Sequence, residues 1–145
     1  MPMPPDSEEP EAEMPESNFA FTKLVVHDLE RLIEFYSEVY GLHAVHRVRG
    51  ESIGGEEIDE VMMSPDPTAT WSSLVLLKYV ERSAPATAEV ILGFTTDDLP
   101  ALLERVQTAG GSVHADMKDM PELHVRVAFA KDPEGHLAEL VQVLA

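Results

Sequence analysis

The sequence predicts an α+β protein of two tandem βαβββ modules, which together form a curled mixed sheet with a concave cavity. Three observations predict it: an internal repeat with an offset of 70 residues, a helix-spaced apolar stripe in each copy, and three strand-like runs after each stripe. Residues 21–29 align with residues 91–99, and both segments end in Asp-Leu. Because one module cannot bury its sheet face alone, we expect the two modules to pack together.

Each Asp-Leu pair predicts the start of a helix. Asp28 and Asp98 suit the N-cap, because a carboxylate there accepts a backbone N–H. Apolar residues follow at positions i, i+3, i+4 and i+7, which form one face of a helix. These stripes are Leu29, Leu32, Ile33 and Tyr36 in the first copy and Leu99, Leu102, Leu103 and Val106 in the second. Gly41 and the Gly110-Gly111 pair predict the helix ends.

Strand-like runs predict the remaining elements. They span 19–26, 43–49, 57–63 and 71–80 in the first copy, and 88–96, 112–117, 124–130 and 137–144 in the second. Turn-forming residues separate them, among them Gly54-Gly55, Pro65-Asp66-Pro67 and Asp132-Pro133-Glu134-Gly135. We therefore expect one domain over 19–145, with module one at 19–81 and module two at 88–145.

Composition limits the classes of function. The net charge of −17 disfavours nucleic acid as a partner and attracts cationic small molecules. Residues 1–18 contain six acidic and no basic residues, which predicts a disordered acidic tail. No run approaches the ~20 apolar residues of a membrane span, and the lack of an apolar leader favours a cytoplasmic location. The absence of cysteine excludes disulfides and thiolate chemistry.

The pattern resembles the vicinal oxygen chelate superfamily, which includes glyoxalase I, extradiol dioxygenases, and the bleomycin- and fosfomycin-resistance proteins. The resemblance is carried by Asp28-Leu29, Phe35-Tyr36, Gly41-Leu42, Asp98-Leu99 and the closing segment DPEGHLAEL at 132–140. It covers residues 19–145 and implies a homodimer that binds a small molecule inside the curled sheet. It does not fix one activity, because this scaffold carries lyases, epimerases, dioxygenases, transferases and binding proteins.

The resemblance also implies four inward positions, which hold a metal ion in metal-dependent members. Two lie on the first strand of each module and correspond to Phe21 and Ile91. Two lie on the fourth strand and correspond to Glu139 and to Leu76, or to Leu77 if the alignment slips by one residue. A single carboxylate does not hold a divalent cation usefully. We therefore expect no metal or other cofactor unless unusual ligands are used.

The remaining polar side chains give a candidate catalytic set. Glu139 in apolar surroundings can act as a general base, while His124 and Arg126, on one face of the neighbouring strand, anchor an oxygen. The competing interpretations are that this face is solvated and that a lysine neutralises Glu139. The predicted ligand-binding residues are Phe21, Lys23, Leu76, Lys78, Ile91, Trp71 and Met62, of which Trp71 and Met62 equally suit a core.

Two functions of different classes fit these residues. The first is a metal-independent, glyoxalase-like lyase or isomerase that acts on a small carbonyl compound. The alternative is a non-catalytic protein of the bleomycin-resistance type, which sequesters a hydrophobic or cationic small molecule. A third hypothesis is a metalloenzyme that binds its metal ion through unusual ligands.

Overall fold

A computed structural model of the chain describes residues 19, 21–51, 56–70, 72–84 and 90–145, except for the side chain of Glu122. The elements are β1 (Thr22–Val25), α1 (Leu29–Tyr40), β2 (His43–Glu51), β3 (Glu57–Ser64), β4 (Leu74–Tyr79), β5 (Ile91–Thr95), α2 (Leu99–Thr108), β6 (Ser112–Met120), β7 (Val125–Lys131) and β8 (Leu137–Val143). A short 3₁₀ helix, Pro121–Leu123, joins β6 to β7. The predicted tail, the Gly54-Gly55 turn and Trp71 lie outside the described residues.

The strand order confirms the predicted α+β class with two βαβββ modules. The sheet of module one has the order β1-β4-β3-β2, and that of module two has the corresponding order β5-β8-β7-β6. In each sheet the first strand pairs in parallel with the fourth, and the other pairs are antiparallel. The helix after each first strand supplies the crossover that such a parallel pair requires.

Both helices begin as the sequence predicts, and α1 ends at the predicted Gly41, whereas α2 ends at Thr108, with Ala109 as its C-cap, just before the predicted Gly110-Gly111 pair. The Asp28 carboxylate accepts a hydrogen bond from the Arg31 amide, and the Asp98 carboxylate accepts one from the Ala101 amide, each at 3.1 Å. Gly41 follows α1 with a φ of 70°, in the left-handed region that glycine adopts without strain. Neither helix is long and apolar enough to cross a membrane, within the part of the chain that the structure describes.

The two modules share one hydrophobic core, in which both helices pack between the sheets. It contains the predicted stripes of α1 and α2 together with residues of both sheets, such as Leu24, Leu76 and Leu140. At one end of the junction the rings of Tyr40 and Phe94 stack, with centroids 3.8 Å apart and an interplanar angle of 5°. Burial of this common core explains why the modules associate.

Gly111 lies in a tightly packed position, between its own module and Phe35 of the other, and gives a first prediction. A Cβ added there would lie 2.5 Å from the Lys131 carbonyl oxygen and 3.0 Å from the Phe35 ring of the other module. A backbone atom cannot swing away, so Gly111→Ala should lower the free energy of unfolding by roughly 1–3 kcal/mol, as for other overpacked cores. Urea unfolding measures this change.

Gly93→Ala is the matched control for this prediction. A Cβ at Gly93 has nothing within 4 Å, and Gly93 lies in a strand of the same module. The same added methyl group should therefore leave the free energy of unfolding nearly unchanged. Equal losses in the two variants would contradict the close approach at Gly111.

Candidate functional site

Strand alternation assigns each side chain to one of two sheet faces. The helix face of each sheet packs in the common core. The opposite face, here called the outer face, points away from the helices and carries the predicted positions Phe21, Ile91 and Glu139. The outer face of module one carries Phe21, Lys23, Val25, Ile58, Glu60, Met62, Val75 and Leu77. The outer face of module two carries Ile91, Gly93, Thr95, Phe129, Lys131, Leu137, Glu139 and Val141.

Glu139 lies on the outer face of module two, half-buried in the middle of β8. Its strand partners are Gly93 on β5 and Phe129 on β7. Gly93 has no side chain, and the space above it is open, so a small molecule can approach the carboxylate from that side. The Phe129 ring lies on the other side. This is an environment in which a carboxylate can act as a base on a bound molecule.

The strand register corrects the fourth metal position of the resemblance. Gly93 pairs with Glu139, and Lys23, which stands 70 residues before Gly93, pairs with Val75. Val75 is therefore the counterpart of Glu139, and the prediction of Leu76 is wrong. Leu76 pairs with Leu24, is fully buried and packs in the common core on the opposite face.

Lys23 lies on the outer face of module one and forms an ion pair that the sequence did not reveal. Its Nζ is 2.8 Å from Oε1 of Glu60, and the side chains of Lys23 and Glu60 are 37% and 10% exposed. The pair crosses β4 above Val75 and Leu77, because β4 lies between β1 and β3. The ammonium group is also 5.7 Å from the centroid of the Phe21 ring, at the distance of a cation–π contact.

Two further predicted residues, Lys78 and Arg126, lie away from this surface. Lys78 shares the helix side with Leu76, and its Nζ donates to the carbonyl oxygen of His27 at 2.8 Å. Arg126 pairs across the strands with Gln142, whose side chain accepts from the first turn of α2, so Arg126 also lies on the helix side. Its guanidinium group binds the Asp119 carboxylate at 2.6 Å.

His124 lies at the far end of β7, exposed, with a φ of 56° after the 3₁₀ helix. It lies five positions before Phe129, the partner of Glu139, a distance of roughly 17 Å along a strand. The expectation that Glu139, His124 and Arg126 converge is therefore corrected. Phe21, Lys23 and Met62 do lie on the outer face of module one, and Ile91 lies on that of module two; their roles in binding stay predictions.

The positions that hold a metal ion in metal-dependent members do not suit one here. Phe21, Val75 and Ile91 have no donor atom in their side chains, and Glu139 supplies a carboxylate alone. Among the described residues, no three His, Asp or Glu side chains form a group that could hold a metal ion. Divalent cations need several oxygen or nitrogen ligands, so this donor set does not fit the ion.

The loop between β7 and β8 contains a second feature that the sequence analysis missed. The side chains of Tyr36, Asp132 and His136 are all buried, and the Tyr36 hydroxyl donates to Asp132 Oδ2 at 2.9 Å. Burial and the Asp132 charge raise the pKa of Tyr36 well above its usual range, which keeps the hydroxyl protonated as a donor. The Asp-Pro-Glu-Gly-His run predicted a turn but not its contact with α1.

A cavity of about 500 Å³ opens at the junction of the modules. Its walls come from both modules and include Thr22, Leu74, Tyr40, Leu92 and Phe94. Gly93, the strand partner of Glu139, also lines it. The cavity therefore runs along the exposed edge of β5, next to the outer face of module two.

The chain has two βαβββ modules and a carboxylate on the outer face of its last strand. These features place it in the class of two-module glyoxalase-like proteins. Residues 18–140 match the family model of the Glyoxalase/Bleomycin resistance protein/Dioxygenase superfamily, and the chain belongs to this superfamily. This finding confirms the resemblance that the sequence analysis stated.

Individual relatives are consistent with this membership. The chain is 31% identical to a lactoylglutathione lyase of Arabidopsis thaliana over 122 residues, which cover 81% of this chain and 41% of the plant protein. A probable lactoylglutathione lyase of Vibrio parahaemolyticus is 27% identical, over 83% of this chain and 87% of that protein. The chain thus spans about two fifths of the plant relative and most of the bacterial one.

Solved structures show the same fold. A glyoxalase family protein from Bacillus cereus superposes with a TM-score of 0.76 at 21% identity, over 94% of this chain and 100% of that chain. The trypanothione-dependent glyoxalase I of Leishmania major superposes with a TM-score of 0.67 at 20% identity, over 88% of this chain and 87% of that chain. At these identities the likeness concerns the fold alone.

Proposed function

We propose that the chain is a metal-independent, glyoxalase-like lyase or isomerase that acts on a small carbonyl compound, with Glu139 as the general base. The observation that carries the proposal is the position of Glu139 on an outer sheet face, between the open space above Gly93 and the ring of Phe129. The relatives named lactoylglutathione lyase support the reaction class. The donor-poor positions around Glu139 support the absence of a metal from the mechanism.

The proposed chemistry begins with proton removal from the carbon next to a carbonyl group. The Glu139 carboxylate takes this proton, and negative charge develops on the carbonyl oxygen. A cation must stabilise that charge where a metal does not. Lys23 is our candidate in place of Arg126, because it lies on an outer face and Glu60 fixes its ammonium group. The substrate class is one in which the deprotonated carbon also carries a hydroxyl group. The protonated Glu139 then delivers the proton to the former carbonyl carbon, while the hydroxyl proton passes to the former carbonyl oxygen. The carbonyl group has then moved to the first carbon, which completes an isomerisation.

We place this site between two copies of the chain, where the outer face of module one in one copy meets the outer face of module two in the other. A homodimer that joins the faces of two copies is the proposed arrangement, with a small molecule held between them. Phe21 and Ile91 are apolar side chains that stay 39% and 56% exposed, on module one and module two respectively. Covering such apolar surface favours association.

The alternative function is sequestration of a hydrophobic or cationic molecule without catalysis. The same exposed Phe21 and Ile91 favour it, since an aromatic ring and an aliphatic chain bind apolar molecules without any chemistry. The net charge of −17 would attract a cationic ligand. The two functions differ in whether a bound carbonyl compound is converted.

Turnover with and without a chelator tests the proposal. We expect the purified chain to convert at least one member of a panel of thiol–carbonyl adducts, formed from small thiols and α-ketoaldehydes, into the corresponding thioester, at a rate that a strong chelator changes less than about twofold. The physical reason is that Phe21, Val75 and Ile91 offer no ligand atoms to an ion. Absorbance of the thioester follows the reaction, and elemental analysis measures the bound metal.

Two outcomes would contradict this expectation in different ways. Loss of turnover on chelation, with recovery when nickel or zinc is added, would show that unusual ligands hold a catalytic metal. Saturable binding of a hydrophobic cation, with no conversion of any compound in the panel, would favour the sequestering protein.

A further inference from the structure

The loop 132–136 of module two is bound to the corner between β1 and α1 of module one. The Glu134 carboxylate accepts hydrogen bonds from the amides of His27 and Asp28, the shorter ones at 2.8 and 2.7 Å. The His136 Nε2 atom lies 3.2 Å from the Val25 carbonyl oxygen, at the end of β1. These contacts join parts of the chain that are more than 100 residues apart.

His136 lies between two groups that can only accept hydrogen bonds. Its Nδ1 is 2.6 Å from Asp132 Oδ2, and its Nε2 faces the Val25 carbonyl oxygen. A neutral imidazole has one N–H, so one of its nitrogens would then present a lone pair to an oxygen atom. An imidazolium ion has two N–H groups and satisfies both acceptors. The side chain is 5% exposed, so water does not readily replace either partner.

The surroundings of Asp132 require a carboxylate in this arrangement. Its Oδ1 accepts from the amides of Glu134 and His136, both at 2.9 Å. Its Oδ2 accepts from the Tyr36 hydroxyl and from His136 Nδ1. The two amides and the Tyr36 hydroxyl act as donors, so a carboxylic acid proton would have to point at the His136 ring; with that ring doubly protonated, all four contacts are made to an ionised carboxylate. A second proton on His136 therefore neutralises a buried negative charge.

We propose that His136 is a cation in the folded chain at neutral pH, and that this proton makes the junction between the two modules a pH-dependent latch. With both N–H groups in place, His136 holds the start of β8 to the end of β1. Loss of one proton removes one of the two contacts. The latch does not depend on the proposed enzymatic function, since neither Glu139 nor Lys23 takes part in it.

The charged groups that act on His136 are Asp132 and Glu134 from its own loop. Tyr36 and Tyr40 from α1 interact with Asp132, Arg31 from α1 lies beside Gly110, and Lys78 at the end of β4 reaches the His27 carbonyl oxygen. Burial by itself lowers the pKa of His136, but the hydrogen bond and charge of Asp132, the Val25 carbonyl group and Glu134 outweigh it. The net effect raises the pKa of His136 above the ordinary histidine value.

The direction of this effect fixes how stability depends on pH. A group whose pKa is higher in the folded than in the unfolded chain stabilises the fold. This stabilisation is fully present when the pH is below the pKa of the group in the unfolded chain, which is about 6.5 for histidine. That contribution disappears as the pH rises through the folded pKa. The latch is therefore closed in mildly acidic and neutral solution and weakens under alkaline conditions.

Imidazole ¹⁵N NMR of the unmodified chain tests the charge directly. We expect both ring nitrogens of His136 to be protonated at pH 7, with a titration midpoint above that of the histidines in the urea-unfolded chain. A His136 ring that is neutral at pH 6, or a midpoint at or below the unfolded value, would overturn the proposal. No variant is needed for this measurement, so it stands even if substitutions at the loop prevent folding.

Unfolding of His136→Gln as a function of pH tests the latch. We expect the stability gap between the unmodified chain and this variant to be largest near pH 6 and to shrink towards pH 9. His114→Gln, at an exposed position on β6, gives the reference for removing a histidine outside the loop. A His136 gap that stays constant or widens with pH would refute the latch.

Discussion

Replacement of Asp132 by alanine should lower the free energy of unfolding by on the order of 3–5 kcal/mol, the cost of breaking a buried ion pair from one side. The Asp132 side chain accepts hydrogen bonds from the Glu134 and His136 amides, the Tyr36 hydroxyl and the His136 ring. Alanine leaves the buried Tyr36 hydroxyl and the His136 ring without this acceptor. Urea unfolding at pH 6, where the His136 contribution is present, measures the loss.

Asp119→Ala is the matched control for this loss. Asp119 also pairs with a cation, Arg126, at 2.6 Å, but its side chain is 52% exposed and the pair lies at the surface of module two. Water replaces the lost contacts at such a site, so the stability should change little. If both aspartate variants lost the same stability, the buried network between the modules would contribute no more than a surface pair.

Local signals made the fold predictable. The N-cap role of Asp28 and Asp98, the left-handed Gly41 and the helix-spaced stripes are each set by residues within a few positions of one another. Because the two copies are offset by 70 residues, each element assigned in one module predicted the same element in the other module. Agreement between local preference and the repeat explains why the predicted elements match those of the structure.

The candidate site was predicted less completely, because its faces depend on strand register. A shift of one residue moves a side chain to the other face of a sheet. The closing Asp-Pro-Glu-Gly segment allowed Glu139 to be aligned with the metal position of the family. No comparable motif precedes β4, so the alignment there was uncertain by one residue. The sequence analysis chose Leu76, whereas the strand register places Val75 at this position. Alternation was expected to put His124 and Arg126 on one side of a strand, but His124 precedes β7 with a left-handed backbone, and Arg126 lies on the helix side of the sheet.

Long-range side-chain contacts were beyond sequence reasoning. Lys23 and Glu60 are 37 residues apart, and Tyr36 and Asp132 are 96 residues apart. Neither pair has a spacing that marks a helix face or a strand face. Both arise because the packing of strands and modules brings ordinary residues together. The ion pair on the outer face and the latch at the junction therefore required the structure.

Glu139→Gln should reduce kcat/KM for the converted carbonyl compound by roughly 100- to 10,000-fold, the usual contribution of a general base. Glutamine keeps the size and shape of the side chain but cannot take a proton from carbon. Glu139 is half-buried beside the open space above Gly93, so the exchange needs no repacking of the core. Steady-state kinetics with the compound identified in the turnover panel measure the effect.

The matched control for this loss is Glu104→Gln, which makes the same chemical change on the exposed side of α2. Its kcat/KM should stay close to that of the unmodified chain, because α2 presents this carboxylate to solvent. If Glu139→Gln retained full turnover as well, Glu139 would not be the base. A ligand that both variants bind equally well and leave unchanged would then identify the outer faces as a surface for sequestration, with the carboxylate contributing charge rather than chemistry.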